Sequence, residues 1–227
     1  MLPRPFSELS FPPRFDKTTS VHETTVSTTP GTGWETWVPP GLETAVAERR
    51  ASGAAGRFAA HLALQAAGAT STAPLARGTR GEPLWPMGFV GSITHTETFA
   101  AAAAIASSRA RGLGIDSEKI GRAREPGRLL DRVLHPLEHN GVPGLPTEET
   151  DRFFAFVFSA KESVYKALYP LVGKVFWFEA ARLSAVRGAR FTVVLEQDLS
   201  PEFTRGHELT GAFSESDGFI HTAVLVP

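Results

Sequence analysis

The sequence predicts an α+β fold built from two halves that share an interface. A succession of helix and strands occurs twice along the 227 residues, and the changeover lies near residue 110. The clearest helical pattern covers residues 151–168, and strand-like runs follow it to the C-terminus. These runs are residues 175–183, 190–196 and 218–226. We therefore predict an N-terminal half, residues 1–110, and a C-terminal half, residues 111–227.

The N-terminal half begins with a segment rich in Thr and Ser, residues 16–33, which predicts a poorly ordered arm or an extended strand. A helical pattern then covers residues 42–67. Gly53 and Gly56 lie inside it, and each costs about 1 kcal/mol relative to alanine in a helix. The two glycines indicate either a break or a place where another group approaches the backbone closely.

A loop and a strand complete this half. Residues 78–91 contain prolines and glycines that predict a loop, and the small side chains of residues 99–107 favour a strand over a buried helix.

In the C-terminal half, residues 111–115 predict a short strand that leads into an acidic segment. A basic loop follows, with Arg122, Arg124, Arg128 and Arg132. A short helix is expected at residues 136–140. The helix at 151–168 begins with a run that is apolar on every side, so its first half should be buried all round, and Pro170 should end it.

Composition excludes several classes of protein. The net charge is −1, so no overall positive field recruits nucleic acid or an anionic membrane, and we expect neither as a partner. The chain has no cysteine, which excludes disulfides, thiolate zinc sites and cysteine nucleophiles. The N-terminal residues lack the apolar core of a secretory leader, so we expect a cytoplasmic protein.

Asp116 and Glu118 form an acidic pair at the end of an apolar strand. Side chains two residues apart leave an extended chain on the same face. Two carboxylates about 4 Å apart repel by roughly 4 kcal/mol at an effective dielectric near 20. Oxygen ligands suit Mg²⁺ or Mn²⁺. The alternative is that both are ordinary solvated residues, since Asp-x-Glu is frequent by chance.

Glu162 and Lys166 are four residues apart and therefore share one helix face. Lys161 adds a second ammonium group on the neighbouring strip. A helix-stabilising ion pair, worth about 0.2–0.5 kcal/mol, would explain Glu162 and Lys166 equally well. Their position after the apolar start of the helix instead favours a charged cleft at the edge of a core.

The segment from Trp85 to His95 combines an aromatic side chain, glycines that admit a bulky ligand, and a Ser/Thr/His group that includes Ser92. Arg77 and Arg80 lie just upstream and favour an anionic ligand. The alternative is a surface loop with a histidine satisfied by the core.

Three further arginines lie on the predicted helix: Arg49, Arg50 and Arg57. In a regular helix Arg50 and Arg57 are nearly aligned, whereas Arg49 and Arg57 diverge by about 80°. Either Arg49 or Arg50 could reach a phosphate if the glycines distort the helix, and a solvated helix face is the alternative.

Together these segments resemble the Sfp-type 4'-phosphopantetheinyl transferases, particularly the branch of the enterobactin-type enzymes and their actinobacterial relatives. The resemblance runs from about residue 45 to the C-terminus. Its motifs are Trp85-Pro86-x-Gly88 with Gly91-Ser92-Ile93-Thr94-His95, Gly114-Ile115-Asp116-x-Glu118, and Phe158-Ser159-Ala160-Lys161-Glu162-x-x-x-Lys166.

The resemblance implies a monomer of two similar α/β halves related by a pseudo-twofold axis, with coenzyme A in the cleft between them. Asp116, Glu118 and Glu162 would hold Mg²⁺. Lys161 and Lys166 would face the pyrophosphate. The 3'-phosphate end of coenzyme A would lie among Arg49, Arg57, Arg77 and His95, with Arg80, Trp85 and Ser92 as further coenzyme A-binding residues.

The implied reaction transfers 4'-phosphopantetheine from coenzyme A to a serine of an acyl or peptidyl carrier protein. Glu162 would accept the serine proton, with Lys166 and Asp116 as further catalytic residues. The basic loop that begins at Arg122 would contact acidic carriers, unless it is simply a flexible loop. The pathway stays open among fatty-acid, polyketide, siderophore and nonribosomal peptide synthesis.

Two other classes of function compete with this one. A non-catalytic coenzyme A-binding protein should have lost metal ligands, yet the carboxylates are intact. Another Mg²⁺-dependent nucleotidyl or phosphoryl transferase would have to function without a glycine-rich phosphate loop of Walker type.

Overall fold

The computed structural model describes residues 20–25, 34–70, 73–122, 126–144 and 150–227. The chain divides into two compact units, and the boundary falls between Leu113 and Gly114. Each unit combines helices with β-sheet, which confirms the α+β class. Among the described residues, no helix has both the length and the apolar character needed to cross a bilayer.

The first unit has one long helix packed on an antiparallel sheet. Its elements are β1 Ser20–Thr25, a 3-10 helix Trp34–Trp37, α1 Ala47–Ala66, β2 Ala76–Arg77, β3 Pro83–Leu84, β4 Phe89–His95 and β5 Phe99–Ala106. The sheet order is β1-β5-β4, and β2 pairs separately with β3. β5 is buried along most of its length, and its alanines allow α1 to lie close to the sheet.

Gly53 and Gly56 do not break α1. A Cβ atom on Gly53 would lie 2.9 Å from Leu42 Cδ1, and one on Gly56 would lie 2.8 Å from Ile93 Cγ2. Of the two interpretations offered by the sequence, close approach is therefore correct and a helix break is wrong. Each glycine allows a neighbouring side chain to reach the helix backbone.

The other predictions for this unit have mixed outcomes. The strand at 99–107 is confirmed as β5. Residues 20–25 form a strand, whereas 16–19 and 26–33 lie outside the described residues. The predicted loop at 78–91 is too long, because β3 pairs within it and β4 already begins at Phe89.

The second unit packs a long helix on a five-stranded sheet. Its helices are α2 Pro126–Val133 and α3 Thr150–Val172, with 3-10 helices Pro136–Glu138 and Phe178–Ala180. Its strands are β6 Gly112–Lys119, β7 Ala181–Arg187, β8 Arg190–Leu195, β9 Glu208–Ser216 and β10 Phe219–Val226. The sheet order is β6-β10-β9-β8-β7. The ring of Phe156 on α3 packs edge-on against Phe191 and Phe213, with centroids 5.7 and 4.7 Å away.

Sequence predictions failed in this unit at the ends of some elements, and two elements were missed altogether. α3 continues past Pro170 to Val172, because a proline this close to the C-terminus removes only one helical hydrogen bond. The helix ends at Gly173, whose φ is +68° and whose N–H donates to Tyr169 O at 2.9 Å. Residues 175–180 are not a strand, and α2 and β9 were not predicted.

Gly114 is the point at which β6 and α3 approach most closely. A Cβ atom on Gly114 would lie 1.8 Å from Ser163 O and 2.8 Å from Ala167 N, which are both backbone atoms of α3. No side chain can move aside to relieve such a clash. Any residue other than glycine would therefore push the helix away from the strand.

We expect Gly114→Ala to lower the free energy of unfolding by at least about 1–3 kcal/mol, the usual cost of overpacking a core. Thermal and urea unfolding would measure this loss. Arg187→Ala, at an exposed position of β7, is the control and should stay within about 0.5 kcal/mol of the unaltered protein. Equal stability of the two variants would show that α3 does not press on β6.

Candidate functional site

The close contact at Gly114 brings two pairs of charged side chains together. Because side chains alternate along a strand, Asp116 and Glu118 leave β6 on the same face as Gly114, towards α3. On α3, Lys166 Nζ lies 2.6 Å from Asp116 Oδ1 and donates to Ile115 O at 3.2 Å. Glu162 stands one turn earlier on the same helix face. We call Asp116, Glu118, Glu162 and Lys166 the β6–α3 charge cluster.

The β6–α3 charge cluster has more negative than positive charge. Burial raises the pKa of Glu118 to about 7, with a further contribution from the charge of Asp116. Burial also raises the pKa of Glu162, and Lys166 only partly offsets it. Burial alone would lower the pKa of Lys166, but Asp116 and the two glutamates together raise it. A cation bound here would relieve the repulsion among the acids.

The donor set suits a hard divalent cation, because it consists of carboxylate oxygens with surplus negative charge. Within the described parts of the chain, however, no three His, Cys, Asp or Glu side chains form a ready-made metal site. A bound Mg²⁺ would therefore need phosphate oxygens and water as further ligands, as is usual for this ion. The assignment of Asp116, Glu118 and Glu162 as metal ligands stays a prediction.

Lys161 requires a correction. The sequence suggested that it faces a pyrophosphate, but its side chain is buried inside the second unit, with 2% of the residue exposed. Its ammonium group lies 2.6 Å from Glu138 Oε2 and donates to Val133 O at 2.7 Å. Burial lowers the pKa of Lys161, and Glu138 opposes this effect. Lys161 and Lys166 therefore lie in different environments, although the sequence grouped them together.

Sequence reasoning also missed a buried histidine beside β6. The ring of His221 on β10 forms two hydrogen bonds, one between Nδ1 and Ser117 Oγ at 2.9 Å and one between Nε2 and Ser216 Oγ at 3.1 Å. Burial lowers the pKa of His221 to about 4, so the ring is neutral at physiological pH. Ser117 lies on the opposite face of β6 from Asp116 and Glu118. An isolated histidine in a terminal strand gives no sequence signal for this contact.

In the first unit, Arg57 and Arg77 form a second candidate site. Arg57 is buried on α1, and its Nε donates to Leu75 O at 3.2 Å. Burial, and then the positive charge of Arg77, lower the pKa of Arg57. The two guanidinium groups therefore lie within range of each other's charge and repel, and an anion bound by both would offset this repulsion. We call Arg57 and Arg77 the basic pair.

Two glycines make room for Arg77. A Cβ atom on Gly41 would lie 3.0 Å from Arg77 Nη1, and one on Gly81 would lie 2.9 Å from Arg77 Nη2. Both glycines have positive φ, at 82° and 95°. The position of the guanidinium group therefore depends on two residues that have no side chain.

The other predicted arginines lie outside the basic pair. Arg50 donates to Glu43 O at 3.3 Å, and its guanidinium carbon lies 5.9 Å from the ring centroid of Trp34. Arg49 and Arg80 are exposed. The structure thus assigns Arg50 a role in packing the start of α1, and a ligand contact by Arg49 or Arg80 stays a prediction.

β4 directs its predicted site residues to opposite faces. Ile93 contacts α1 at Gly56, so His95, two residues on, leaves the strand on the α1 face and is exposed. Ser92 is buried on the other face, so the structure does not bring it beside His95. Trp85 packs against Gly91 and the core under α1, and its contact with coenzyme A stays a prediction.

The basic loop predicted after the acidic strand is only partly described. Arg122 and Arg132 are exposed, and Arg132 stands in the last turn of α2. Arg124 and the side chain of Arg128 lie outside the described residues. A docking role for these arginines stays a prediction.

Comparison with protein families gives consistent matches along most of the chain. The model of the 4'-phosphopantetheinyl transferase N-terminal domain matches residues 39–105. The model of the 4'-phosphopantetheinyl transferase superfamily matches residues 112–224. The two matches together include the basic pair and the whole β6–α3 charge cluster.

Curated relatives bear similar names. The 4'-phosphopantetheinyl transferase Svp of Streptomyces mobaraensis is 40% identical over 159 residues, which are 67% of this chain and 63% of the relative. Npt of Nocardia iowensis is 37% identical over 61% of this chain and 60% of its own length. PptT of Mycobacterium tuberculosis is 35% identical over 64% of this chain and 62% of its own length. The match therefore spans less than two thirds of the length of these relatives.

Among solved structures, a holo-(acyl-carrier-protein) synthase from Bacillus anthracis in complex with CoA (3',5'-ADP) matches with a TM-score of 0.34 and 21% identity. It covers 50% of this chain and 93% of the synthase chain.

The raised pKa of Glu118 predicts a pH-dependent stability. Folding raises this pKa from 4.5 to about 7, so the folded state binds the proton more tightly than the unfolded state does. The free energy of unfolding should therefore fall as the pH rises through this window. The side chain introduced by Glu118→Gln cannot ionise, so this variant should not lose stability as the pH rises. We therefore expect the gain in melting temperature of Glu118→Gln over the unaltered protein to be larger at pH 7.5 than at pH 5.

Thermal unfolding in EDTA at several pH values measures this difference. Glu208→Gln, an exposed position on β9, is the control and should show no pH-dependent gain. A constant difference between Glu118→Gln and the unaltered protein would mean that the Glu118 carboxyl has an ordinary pKa.

Proposed function

Because the chain belongs to the 4'-phosphopantetheinyl transferase superfamily, we propose that it transfers 4'-phosphopantetheine from coenzyme A to a serine of an acyl or peptidyl carrier protein. Adenosine 3',5'-bisphosphate is the second product. The observation that carries this proposal is the β6–α3 charge cluster, in which three carboxylates and one ammonium group lie on facing elements.

The bond changes in this reaction are simple. The serine oxygen attacks the phosphorus atom that bears the pantetheine group, and the bond from that phosphorus to the bridging oxygen of the pyrophosphate breaks. The serine proton must go to a base. Glu162 is our candidate, because burial raises its pKa and so makes the ionised group a stronger base than an ordinary glutamate.

We assign Mg²⁺ to Asp116, Glu118 and Glu162, with Mn²⁺ as a substitute. When bound, the ion would neutralise charge on the pyrophosphate oxygens. Lys166 has two tasks in this proposal. It holds Asp116 in place through the 2.6 Å contact, and it supplies positive charge to the phosphate beside the acids.

The basic pair is our candidate for the 3'-phosphate of coenzyme A. A phosphate group between Arg57 and Arg77 would replace their mutual repulsion with two charge-assisted contacts. His95 is exposed on the α1 face of β4 and is a further candidate. Arg49 and Arg80 are exposed, and we keep both as candidates for contact with coenzyme A.

The acceptor is proposed to be an acidic carrier domain, which Arg122 and Arg132 would attract. We expect a cytoplasmic monomer that acts on carriers of fatty-acid, polyketide, siderophore or nonribosomal peptide synthesis.

The proposal is tested by incubating the protein with coenzyme A, Mg²⁺ and an apo carrier protein, and then measuring the mass of the carrier. We expect a gain of one phosphopantetheine group and no gain in EDTA. Glu162→Gln should lower kcat by roughly 100-fold or more, since it removes a general base, and should leave coenzyme A binding in calorimetry nearly unchanged.

Two outcomes would contradict these expectations. Nucleotide product without modification of any carrier would indicate another phosphoryl transferase. Full turnover of Glu162→Gln in the presence of metal would remove Glu162 from the mechanism.

A matched pair of glycine variants tests the basic pair. Gly81→Ala and Gly68→Ala place a Cβ atom at nearly equal φ, 95° and 93°, and therefore introduce similar backbone strain. Only the first meets the guanidinium group of Arg77, because nothing lies within 4 Å of a Cβ atom on Gly68.

We expect Gly81→Ala to weaken coenzyme A binding about 10-fold, and Gly68→Ala to leave it unchanged. Dephospho-coenzyme A, which lacks the 3'-phosphate, should bind both variants and the unaltered protein with similar affinity. Equal coenzyme A affinity in both variants would place the 3'-phosphate elsewhere.

A further inference from the structure

Lys161 uses its ammonium group entirely within the protein. Besides Glu138 Oε2 and Val133 O, it donates to Phe178 O at 3.3 Å. An ammonium group has three N–H donors, and these three contacts occupy all of them. The three acceptors belong to the end of α2 and to the two 3-10 helices of the second unit. Lys161 therefore joins α3 to three separate segments.

Glu138 is equally well satisfied. Its Oε2 accepts from Lys161 and from the backbone N–H of His135, and its Oε1 accepts from the N–H of Leu183 on β7. Only 1% of the residue is exposed. The carboxylate thus connects the turn before the 3-10 helix with β7 and with α3.

These contacts fix the rotation of α3 about its axis. Lys161 and Glu162 are adjacent, so their side chains leave the helix about 100° apart. The direction of Glu162 is therefore determined once Lys161 is held. On the other flank, α3 is held by the contact of Ser163 with Gly114 and by the ion pair of Lys166 with Asp116.

We propose that Lys161 and Glu138 form a buried positioning pair, which sets the direction of Glu162, and that Lys161 does not touch coenzyme A. This proposal rests on the proposed function, because it concerns the aim of the catalytic base. It gives the motif lysine a different task from that of Lys166.

The energetics of buried ion pairs support a positioning role. Replacing both partners of such a pair by neutral residues is often harmless, whereas removing one partner leaves a buried charge and is strongly destabilising. A pair of this kind therefore adds little net stability and is better explained by the geometry that it fixes. It also means that the two single variants and the double variant should behave very differently.

The experiment compares Glu138→Gln, Lys161→Met and the double variant with the unaltered protein. Met preserves much of the length of the lysine chain, and after Glu138→Gln the amide oxygen can still accept from one of the two backbone N–H groups, of Leu183 or of His135, that Glu138 binds. Lys174→Met is the control, because Lys174 is an exposed lysine of the same unit that also donates to a backbone carbonyl, Asp198 O at 3.0 Å. For each protein we would measure kcat, the KM for coenzyme A, coenzyme A affinity by calorimetry, and the melting temperature.

We expect Lys161→Met to lower kcat roughly 10- to 100-fold at a temperature well below its melting point, as a misplaced catalytic group does. Its coenzyme A affinity should stay within about 3-fold of that of the unaltered protein. The double variant should recover most of the melting temperature but not kcat, because it lacks the pair that fixes the rotation of α3, and Lys174→Met should change nothing. If Lys161→Met does not fold, a folded double variant with this lowered kcat supports the pair, and a double variant that is unfolded or fully active overturns it.

Two further results would overturn the positioning pair. One is an equal loss of coenzyme A affinity, of about 10-fold or more, in Lys161→Met and in the double variant, since Lys161 would then contact the ligand. The other is additive melting-temperature effects of the two single changes. An unaltered protein that modifies no carrier would instead refute the proposed function, while the melting temperatures would still decide whether the two side chains act as a pair.

Discussion

The contact between the backbones of β6 and α3 at Gly114 is the constraint on which the β6–α3 charge cluster depends. A helix and a strand can approach this closely only where a residue has no side chain. The approach leaves Asp116 within 2.6 Å of Lys166 and brings Glu118 and Glu162 within range of each other's charge. Wider spacing would leave four ordinary surface charges.

The composition of α3 explains why these charges stay together. Its first half is largely buried against the sheet, with Phe156 packed between Phe191 and Phe213. The second half carries Glu162 and Lys166 towards β6, while the Lys161–Glu138 pair holds the helix from another side. The apolar half anchors the helix, and the charged half is presented at a defined rotation.

Local rules predicted each of the two pairs in the charge cluster, whereas the meeting of the pairs was implied only by the family resemblance. Alternation placed Asp116 beside Glu118, and the four-residue spacing placed Glu162 above Lys166. The sequence prediction failed for Lys161, because its partner Glu138 is 23 residues away. Helical periodicity assigns a side chain to a helix face but does not say whether that face is exposed to solvent or buried. The continuation of α3 past Pro170 likewise depends on packing that no local pattern contains, whereas the separation of Ser92 from His95 follows from alternation along β4, a strand that the sequence did not predict.

The charges of the basic pair bear on the stability and the abundance of the protein in the cell. Burial and the charge of Arg77 both lower the pKa of Arg57, so an anion bound by the two side chains would stabilise the first unit. A bound nucleotide would therefore act as a folding ligand as well as a substrate. Under this proposal, cells short of that nucleotide would hold more of the protein in a protease-sensitive form, and its abundance would follow the supply of its own substrate.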